Sequence, residues 1–358
     1  MSASLPVSGL PDGIVDYPAR DMTITVGAAM TFGRLQAILK TEHQQLPIDV
    51  HDDGLLLCDC VAFDLQGSRQ FGYGTLRDYV IGIEAIDGNG RVFHAGGRVV
   101  KNVAGYDLCR LLTGSRNLLG QIRQLTFKLK PIPDQRRLLI AGFRTFQNLE
   151  PALDRLNLTC STPVILDVVT RAALHRFPCL QDSLPKFPED SAPECLVIAG
   201  VEGTEKSCSW QLKTLSNELN GTATEVWIPT DMGLSEAYCR DSSLAARPDT
   251  TDVWFIKCTI LPSRLMAAMT GLRSDGCEIF GRAGNGILFI RQARPGLNVG
   301  SALEARIIDR LRSLTEDHAG FIEVLKGNEQ SSLPSRAVQD LTLRLQMALG
   351  TSEDVTKD

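Results

Sequence analysis

Several things that would point to a function are scarce or missing in this 358-residue chain. No stretch approaches eighteen uninterrupted apolar residues, so no membrane-spanning helix is expected. Neither charge sign forms a long run, and 37 basic against 42 acidic residues leave a net charge of −5. That balance argues against a nucleic-acid-binding face or a polybasic membrane patch. Ten cysteines are present without a single CxxC pair, Cys58-Asp59-Cys60 being the one tight cluster. The spacing that iron–sulfur and structural zinc sites draw on is therefore missing, no metal is expected, and the thiols read as scattered buried groups in a reducing compartment. The first twenty-one residues show no basic segment followed by an apolar run, so a cytoplasmic protein is the expectation.

What is present is material for two cores. With 43% hydrophobic and 22% charged residues, a chain of this length reads as two globular domains. The stretch from Gly67 to Gly120 is dense in glycine, which allows φ > 0 turns and close backbone approach to another group. Two glycine loops, Gly67 to Gly74 and Gly114 to Gly120, bracket a hairpin signal at Asp87-Gly88-Asn89-Gly90, where primed turns are expected. Earlier in the chain, residues 22–26 alternate like a half-buried strand. Thr31 is a candidate N-cap for a helix whose apolar face is Phe32, Leu35, Ile38 and Leu39.

Three blocks carry a resemblance. They are FGYGTLRDYVIG at Phe71 to Gly82, GGRVVKNVAGYDLCRLL at Gly96 to Leu112, and Gly114-Ser115 followed by Leu119-Gly120. In these the chain resembles the FAD-binding subunit of bacterial glycolate oxidase, of the p-cresol methylhydroxylase and vanillyl-alcohol oxidase class of flavin domains. Weaker similarity runs from about Tyr17 to Pro133 and through Gly281 to Gly286. The resemblance implies an α+β fold, with a PCMH-type FAD-binding domain, truncated in its N-terminal subdomain, followed by a ferredoxin-like α+β cap domain. The expected boundaries are 1–133 for the flavin domain, 134–330 for the cap, and 331–358 for a C-terminal amphipathic helix and polar tail. The cofactor-binding residues it implies are Gly67, Ser68, Arg69, Gly72, Tyr73, Gly74, Lys101, Asn102, Gly114, Ser115, Gly120 and Ile122. No residue is assigned as a catalytic acid or base.

Some of these positions also make sense without the resemblance. Gly114 reads as the glycine just past a helix end. Asp107 reads as a carboxylate in the first turn of that helix, complementing its dipole. Asn117 replaces a glycine of the family form and tolerates the left-handed region better than most residues.

The departures from the family lie in three places. Residues 1–21 supply only Gly9 and Gly13 and no apolar strand leading into a first glycine loop, which a longer N-terminus would restore. In the second loop, Cys58 and Asp59 stand where the family has paired glycines, adding a side chain and a carboxylate that would repel a pyrophosphate. The chain ends in TSEDVTKD without the family's C-terminal return.

Beyond Pro133 short strands alternate with single helices. The rhythm suggests ferredoxin-like units covered on one face, with strands near 137–143, 164–169, 195–201, 224–228, 253–260, 277–280, 286–291 and 321–325 and helices between them near 147–156, 205–219, 263–273 and 301–314. Gly281 to Gly286 reads as a hairpin loop, or alternatively as a place from which Arg282 reaches a flavin edge or a carboxylate. His318 is a weaker acid–base candidate.

The resemblance thus implies an FAD-binding subunit of a glycolate or other 2-hydroxy-acid oxidase. It would work with a catalytic FAD-linked subunit and an iron–sulfur subunit. No His or Cys lies in either glycine loop to attach the flavin, so FAD is expected to be non-covalent, and the altered loops predict weak or no retention. The alternative is a scaffold subunit that keeps the fold and partner surface and has lost the flavin. An incomplete cofactor site would also expose apolar surface, so the chain is expected to need a partner for stability.

Overall fold

The computed structural model describes residues 9–97, 107–186, 188, 191–247, 253–273, 277–293, 309, 321–326 and 329–332. Lys101, Asn102, Gly105, Tyr106, His318, the expected helix at 301–314 and nearly all of the expected C-terminal helix lie outside these residues. The exceptions are Asp309, in the expected 301–314 helix, and Ser331 and Ser332, which end a strand rather than begin the C-terminal helix. The described chain forms two units. One comprises 9–66 with 74–132, and the other comprises 67–73 with the residues from 133 onward. The short segment 67–73 therefore leaves the first unit and returns to it.

The first unit is a five-stranded antiparallel sheet. Its strands are β1 (Ile14–Asp16), β2 (Thr23–Gly27), β3 (Val80–Ile86), β4 (Val92–Gly96) and β5 (Gln121–Lys128), in the order β1-β2-β5-β3-β4. β1 is a short edge strand within residues 1–21, where no apolar strand was expected, with Ile14 and Val15 about half exposed. β2 is buried on both faces rather than half-buried. Its polar face is closed by a cross-strand pair, Thr25 Oγ1 lying 3.0 Å from Thr126 Oγ1, so the threonines are satisfied out of water. The β3–β4 hairpin falls where expected, but its turn is not a primed one. Gly90 alone takes positive φ, at 78°, and Asp87 organises the turn by accepting the N–H groups of Asn89 and Arg91 on Oδ1, each at 2.9 Å. Hydrogen bonding led by the Arg91 amide holds the Asp87 carboxyl below its ordinary pKa.

Three helices belong to this unit. α1 (Phe32–Lys40) starts at Thr31, whose hydroxyl accepts the Arg34 N–H at 3.3 Å, and it buries Phe32, Leu35 and Leu39. α2 (Leu57–Ala62) occupies the region read as a flavin loop, and five of its six residues are buried. α3 (Leu108–Leu112) is capped by Asp107. That residue precedes the first turn rather than lying within it, and it accepts the Arg110 N–H at 3.0 Å.

The second unit is a nine-stranded sheet. Its strands are β6 (Gln135–Phe143), β7 (Ile165–Thr170), β8 (Cys195–Gly203), β9 (Glu225–Trp227), β10 (Val253–Thr259), β11 (Glu278–Arg282), β12 (Ile287–Ala293), β13 (Phe321–Lys326) and β14 (Glu329–Ser332). The order is β9-β6-β8-β7-β11-β12-β10-β13-β14, antiparallel throughout. Numbered within each half, the first four strands lie in the order 4-1-3-2 and the next four in the order 2-3-1-4. Each half therefore has ferredoxin-like strand order, and the halves join edge to edge through β7 and β11.

Helices cover both faces of this sheet, not one. On one face α4 (Phe146–Asn157), α6 (Glu205–Glu218) and α8 (Leu265–Arg273) bury Leu149, Leu153, Leu212, Leu215, Met266 and Met269. On the other, α5 (Pro178–Ser183) and α7 (Leu234–Ala245) bury Leu180, Leu234 and Tyr238, and Phe177 stacks edge-on to Phe280 at 5.5 Å.

Candidate cofactor-binding loops

The expected site residues divide between the two units. Gly74, Gly114, Ser115, Gly120 and Ile122 fall in the first unit, and Gly67, Ser68, Arg69, Gly72 and Tyr73 in the second. What each residue already does inside its own unit decides what it has left for a ligand.

In the first unit the loop after α3 is shaped by the fold. Gly114 stands at φ 82° just past the helix, and Arg116 and Asn117 follow it at φ 55° and 60°. The Gly114 and Arg116 N–H groups donate to Val61 and Ala62 of α2 at 2.9 and 2.8 Å, and the Ser115 N–H donates to Leu112 at 3.1 Å. These bonds satisfy α2's last carbonyls. At Gly120, φ 150°, a Cβ would stand 2.7 Å from the Ile86 carbonyl oxygen, so this glycine serves strand packing. Ile122 is a core residue of β5, 1% exposed. Gly74, φ 86°, leads into a turn in which the Thr75 N–H donates to Asp78 Oδ2 at 2.8 Å. One polar group remains over. The Ser115 hydroxyl is buried and has no hydrogen-bond partner among the described residues.

The second loop is differently committed. The Leu57 and Cys58 N–H groups, which open α2, donate to the Met30 and Ala28 carbonyls, both at 2.9 Å. They face protein, not an anion. Cys58 is 5% exposed, and burial first, with the Asp59 carboxylate second, pushes its thiol up to about 11. Burial also raises the Asp59 carboxyl. A flavin pyrophosphate therefore finds these two amides already used and a carboxylate beside them. Tested on these residues, the FAD fit is divided. The loop at Gly114–Gly120 offers a free buried hydroxyl, and α2 offers nothing.

The segment 67–73 is anchored within the second unit. Ser68, fully buried, donates its hydroxyl to Asp167 Oδ2 at 2.6 Å and lies 2.6 Å from the Ser242 hydroxyl. Tyr238 donates to the same Asp167 oxygen at 2.7 Å, and burial, then the Asp167 charge, drives the Tyr238 pKa well up. Tyr73 donates to Glu202 Oε2 at 2.5 Å, while Arg69 and Arg136 lie 3.5 and 3.3 Å from Glu202 Oε1. The Gly72 N–H donates to Val164 at 3.2 Å, and a Cβ at Gly72 would meet the Val164 Cα at 2.6 Å. Gly67 starts the turn, its carbonyl accepting the Gln70 N–H at 3.2 Å.

Arg282 is 1% exposed, paired in register with Asp167, and lies 5.1 Å over the Phe289 ring. It belongs to the interior, not to a flavin edge. Within its hairpin loop, Gly286 stands at φ 66°, and a Cβ there would meet the Ile260 carbonyl oxygen at 2.0 Å, so both the backbone and the space require glycine. Sequence reading missed the buried set of Ser68, Asp167, Tyr238 and Ser242. The signal available for it was a lone Asp in the apolar strand run Ile165–Thr170.

The architecture is that of the PCMH-type flavoproteins. p-Cresol methylhydroxylase matches with a TM-score of 0.65 at 13% identity, over 86% of this chain and 69% of that one. An alkyldihydroxyacetonephosphate synthase matches with a TM-score of 0.61 at 14% identity, over 94% of this chain and 65% of that one. These identities speak to the fold alone.

At the level of sequence, residues 5–96 match the FAD binding domain family. The chain is 36% identical over 123 residues to the glycolate oxidase subunit GlcE of Escherichia coli, covering 34% of this chain and 35% of that protein. It is 37% identical over 99 residues to the glycolate oxidase subunit GlcD of Bacillus subtilis, covering 28% and 20%. It is 29% identical over 144 residues to a probable mitochondrial D-lactate dehydrogenase of Danio rerio, covering 39% and 28%. The chain thus spans about a third or less of the length of these curated relatives. The resemblance read from the sequence, to a glycolate oxidase subunit with a PCMH-type FAD-binding domain, is what the comparisons return.

Among the described residues no helix is long and apolar enough to cross a membrane, and no group of His, Cys, Asp and Glu could hold a metal ion.

Proposed function

We propose that this chain is the FAD-binding subunit of a glycolate or other 2-hydroxy-acid oxidase complex, holding FAD non-covalently beside a catalytic FAD-linked subunit and passing electrons to an iron–sulfur subunit. The observation that carries the reading is the buried Ser115 hydroxyl, without a hydrogen-bond partner among the described residues, in the resembling Gly114–Gly120 loop that follows the region, residues 5–96, matching the FAD binding domain family. When bound, FAD supplies the two-electron acceptor that turns a 2-hydroxy acid into its 2-oxo acid. The chain's own part is to bind and orient it. Ser115 offers a hydrogen bond, and the left-handed Arg116 and Asn117 keep the loop backbone turned. Lys101 and Asn102, implied by the resemblance as flavin neighbours, belong to the same proposal, as does a cytoplasmic location.

A second reading has its own observation. The α2 amides are bonded to Ala28 and Met30, and Asp59 adds a charge that disfavours a pyrophosphate. On this reading the chain is a scaffold that presents the flavoprotein fold to its partner subunits without FAD. The experiment is a titration of FAD fluorescence quenching on the purified chain, for the natural sequence and for Ser115→Ala. Stoichiometric binding weakened about tenfold or more in Ser115→Ala establishes the first reading. No binding in either protein establishes the second.

A further inference from the structure

Segment 67–73 belongs to the second unit, while the residues on either side of it belong to the first. It is held there along its length. Ser68 is bonded to Asp167 of β7 and to Ser242 of α7, the Gly72 N–H to the Val164 carbonyl, and Tyr73 to Glu202 of β8. Phe71 packs on the second unit's core, so close to Gly284 that a Cβ added at that glycine would stand 2.2 Å from the ring. Undocking the segment breaks these contacts as one group.

Both ends of the segment lead to the loop that carries Ser115. On the N-terminal side, residues 63–66 are all that separates Gly67 from Val61 and Ala62, whose carbonyls accept the Gly114 and Arg116 N–H groups. That connection is taut. Asp64 turns it at φ 46°, and the Asp64 and Leu65 N–H groups donate back to Val61 and Cys60 at 3.1 and 3.0 Å. On the C-terminal side, Gly74 runs directly into a turn in which Asp78 Oδ2 accepts the Thr75 N–H at 2.8 Å and the Thr75 hydroxyl at 3.0 Å. The turn carries Arg77, whose Nη2 donates to the Thr113 carbonyl at 3.1 Å, one residue before Gly114.

Short, hydrogen-bonded connections pass a displacement on, where slack linkers would absorb it. We infer that segment 67–73 is a coupling device: docked on the second unit it holds both supports of the Gly114–Gly120 loop, and released from the second unit it loosens both. The coupling runs along the chain and needs no contact beyond those named. Whatever stabilises or shifts the second unit thereby tunes the order of the Ser115 loop, and by linkage whatever fixes that loop strengthens the docking of the segment.

The test is hydrogen exchange of the full chain, read by mass spectrometry without added FAD, so that its outcome stands apart from the proposed function. Two substitutions act on the segment from the second unit. Gly284→Ala drives a methyl group into the Phe71 ring, and Ser242→Ala removes a partner of Ser68. Each should speed exchange at 67–73 by about fivefold or more, and exchange at 113–117 should rise with it by a similar factor. The amides of α1, in the same unit as that loop, should keep their rates. Exchange reads rare openings, so the docked state remains the dominant one in both variants. If Gly284→Ala does not fold, Ser242→Ala, which deletes one hydroxyl from a fully buried serine, decides alone. Faster exchange at 67–73 with 113–117 unchanged, an equal rise in α1, or no change at 67–73 would each overturn the coupling.

Discussion

Ser68 is the position at which resemblance and structure diverge most sharply, and replacing it separates them. A serine hydroxyl has one hydrogen to donate. At 2.6 Å from Asp167 Oδ2 that hydrogen is committed to the carboxylate, which leaves Ser242 to donate to Ser68 in turn. The Ser68 hydroxyl then has no hydrogen left to donate to a flavin. Ser68→Ala removes a donor that acts beside Tyr238 on one oxygen of a carboxylate that is 1% exposed. A hydrogen bond to a charged group contributes about 1.5–3 kcal/mol, so a loss of about 2 kcal/mol is expected. For a unit of this size that is a drop in Tm of roughly 4–8 °C, read by calorimetry or by urea unfolding.

FAD affinity should stay within a factor of about two, well below the effect of removing a direct contact. Tyr238→Phe removes the second donor to the same oxygen. The double variant should therefore depart from additivity by roughly 0.5 kcal/mol or more, as expected when two groups share one acceptor. A Ser68→Ala protein with unchanged Tm and FAD affinity reduced tenfold would refute the reasoning and return Ser68 to the cofactor.

Three further outcomes are expected. Gly120→Ala places a Cβ 2.7 Å from the Ile86 oxygen at φ 150°, and should destabilise the first unit by roughly 1–3 kcal/mol in urea unfolding, whether or not FAD is present. Asp59→Asn should raise stability at neutral pH. Burial raises this carboxyl in the folded state, so its contribution to stability is fully present below its unfolded pKa of about 3.9 and is lost as pH rises through the folded value. The advantage of Asn should accordingly be largest near pH 7 and vanish in acid, which a pH series of urea midpoints reads directly. Alkylation by iodoacetamide near pH 8 should label exposed Cys160 well before Cys58 or Cys60, whose thiols burial pushes up to about 11 and about 12, as peptide mass spectrometry would show.

Local chemistry was legible wherever a single residue fixes the backbone. Thr31 as the N-cap of α1, Gly114 just past α3 and Asn117 in the left-handed region all follow from residue type, and all are found. The β3–β4 hairpin was legible for the same reason, although its turn follows Asp87's side chain rather than the dipeptide preference. α2 was not legible. Leu57, Cys58, Cys60, Val61 and Ala62 are all buried, so the run has no polar face to display a period, and a glycine-loop template fitted it equally well. The burial of β2 on both faces was hidden because its alternate residues are threonines, paired to a strand about a hundred residues later. The partners of segment 67–73 are more distant still, since Ser68 meets Asp167 and Ser242 across separations of 99 and 174 residues. No local pattern encodes such pairings.

The same distinction bears on the cofactor. Gly114 and Arg116 hold the Gly114–Gly120 loop to α2 through its last carbonyls, so α2 and the loop stabilise each other whether or not a ligand is present. The left-handed residues and the glycines of that loop are accounted for by backbone geometry alone. Matching such a loop to a flavoprotein therefore reports the fold first and the cofactor second. The Ser115 hydroxyl differs in kind, because no bond within the described chain requires it and its burial without a partner costs stability. A side chain kept at such a cost points to a partner outside the described residues, and the FAD proposed above is such a partner. Ser115→Ala should for this reason stabilise the FAD-free protein while weakening FAD. A purely structural serine would show the loss of stability without the loss of affinity.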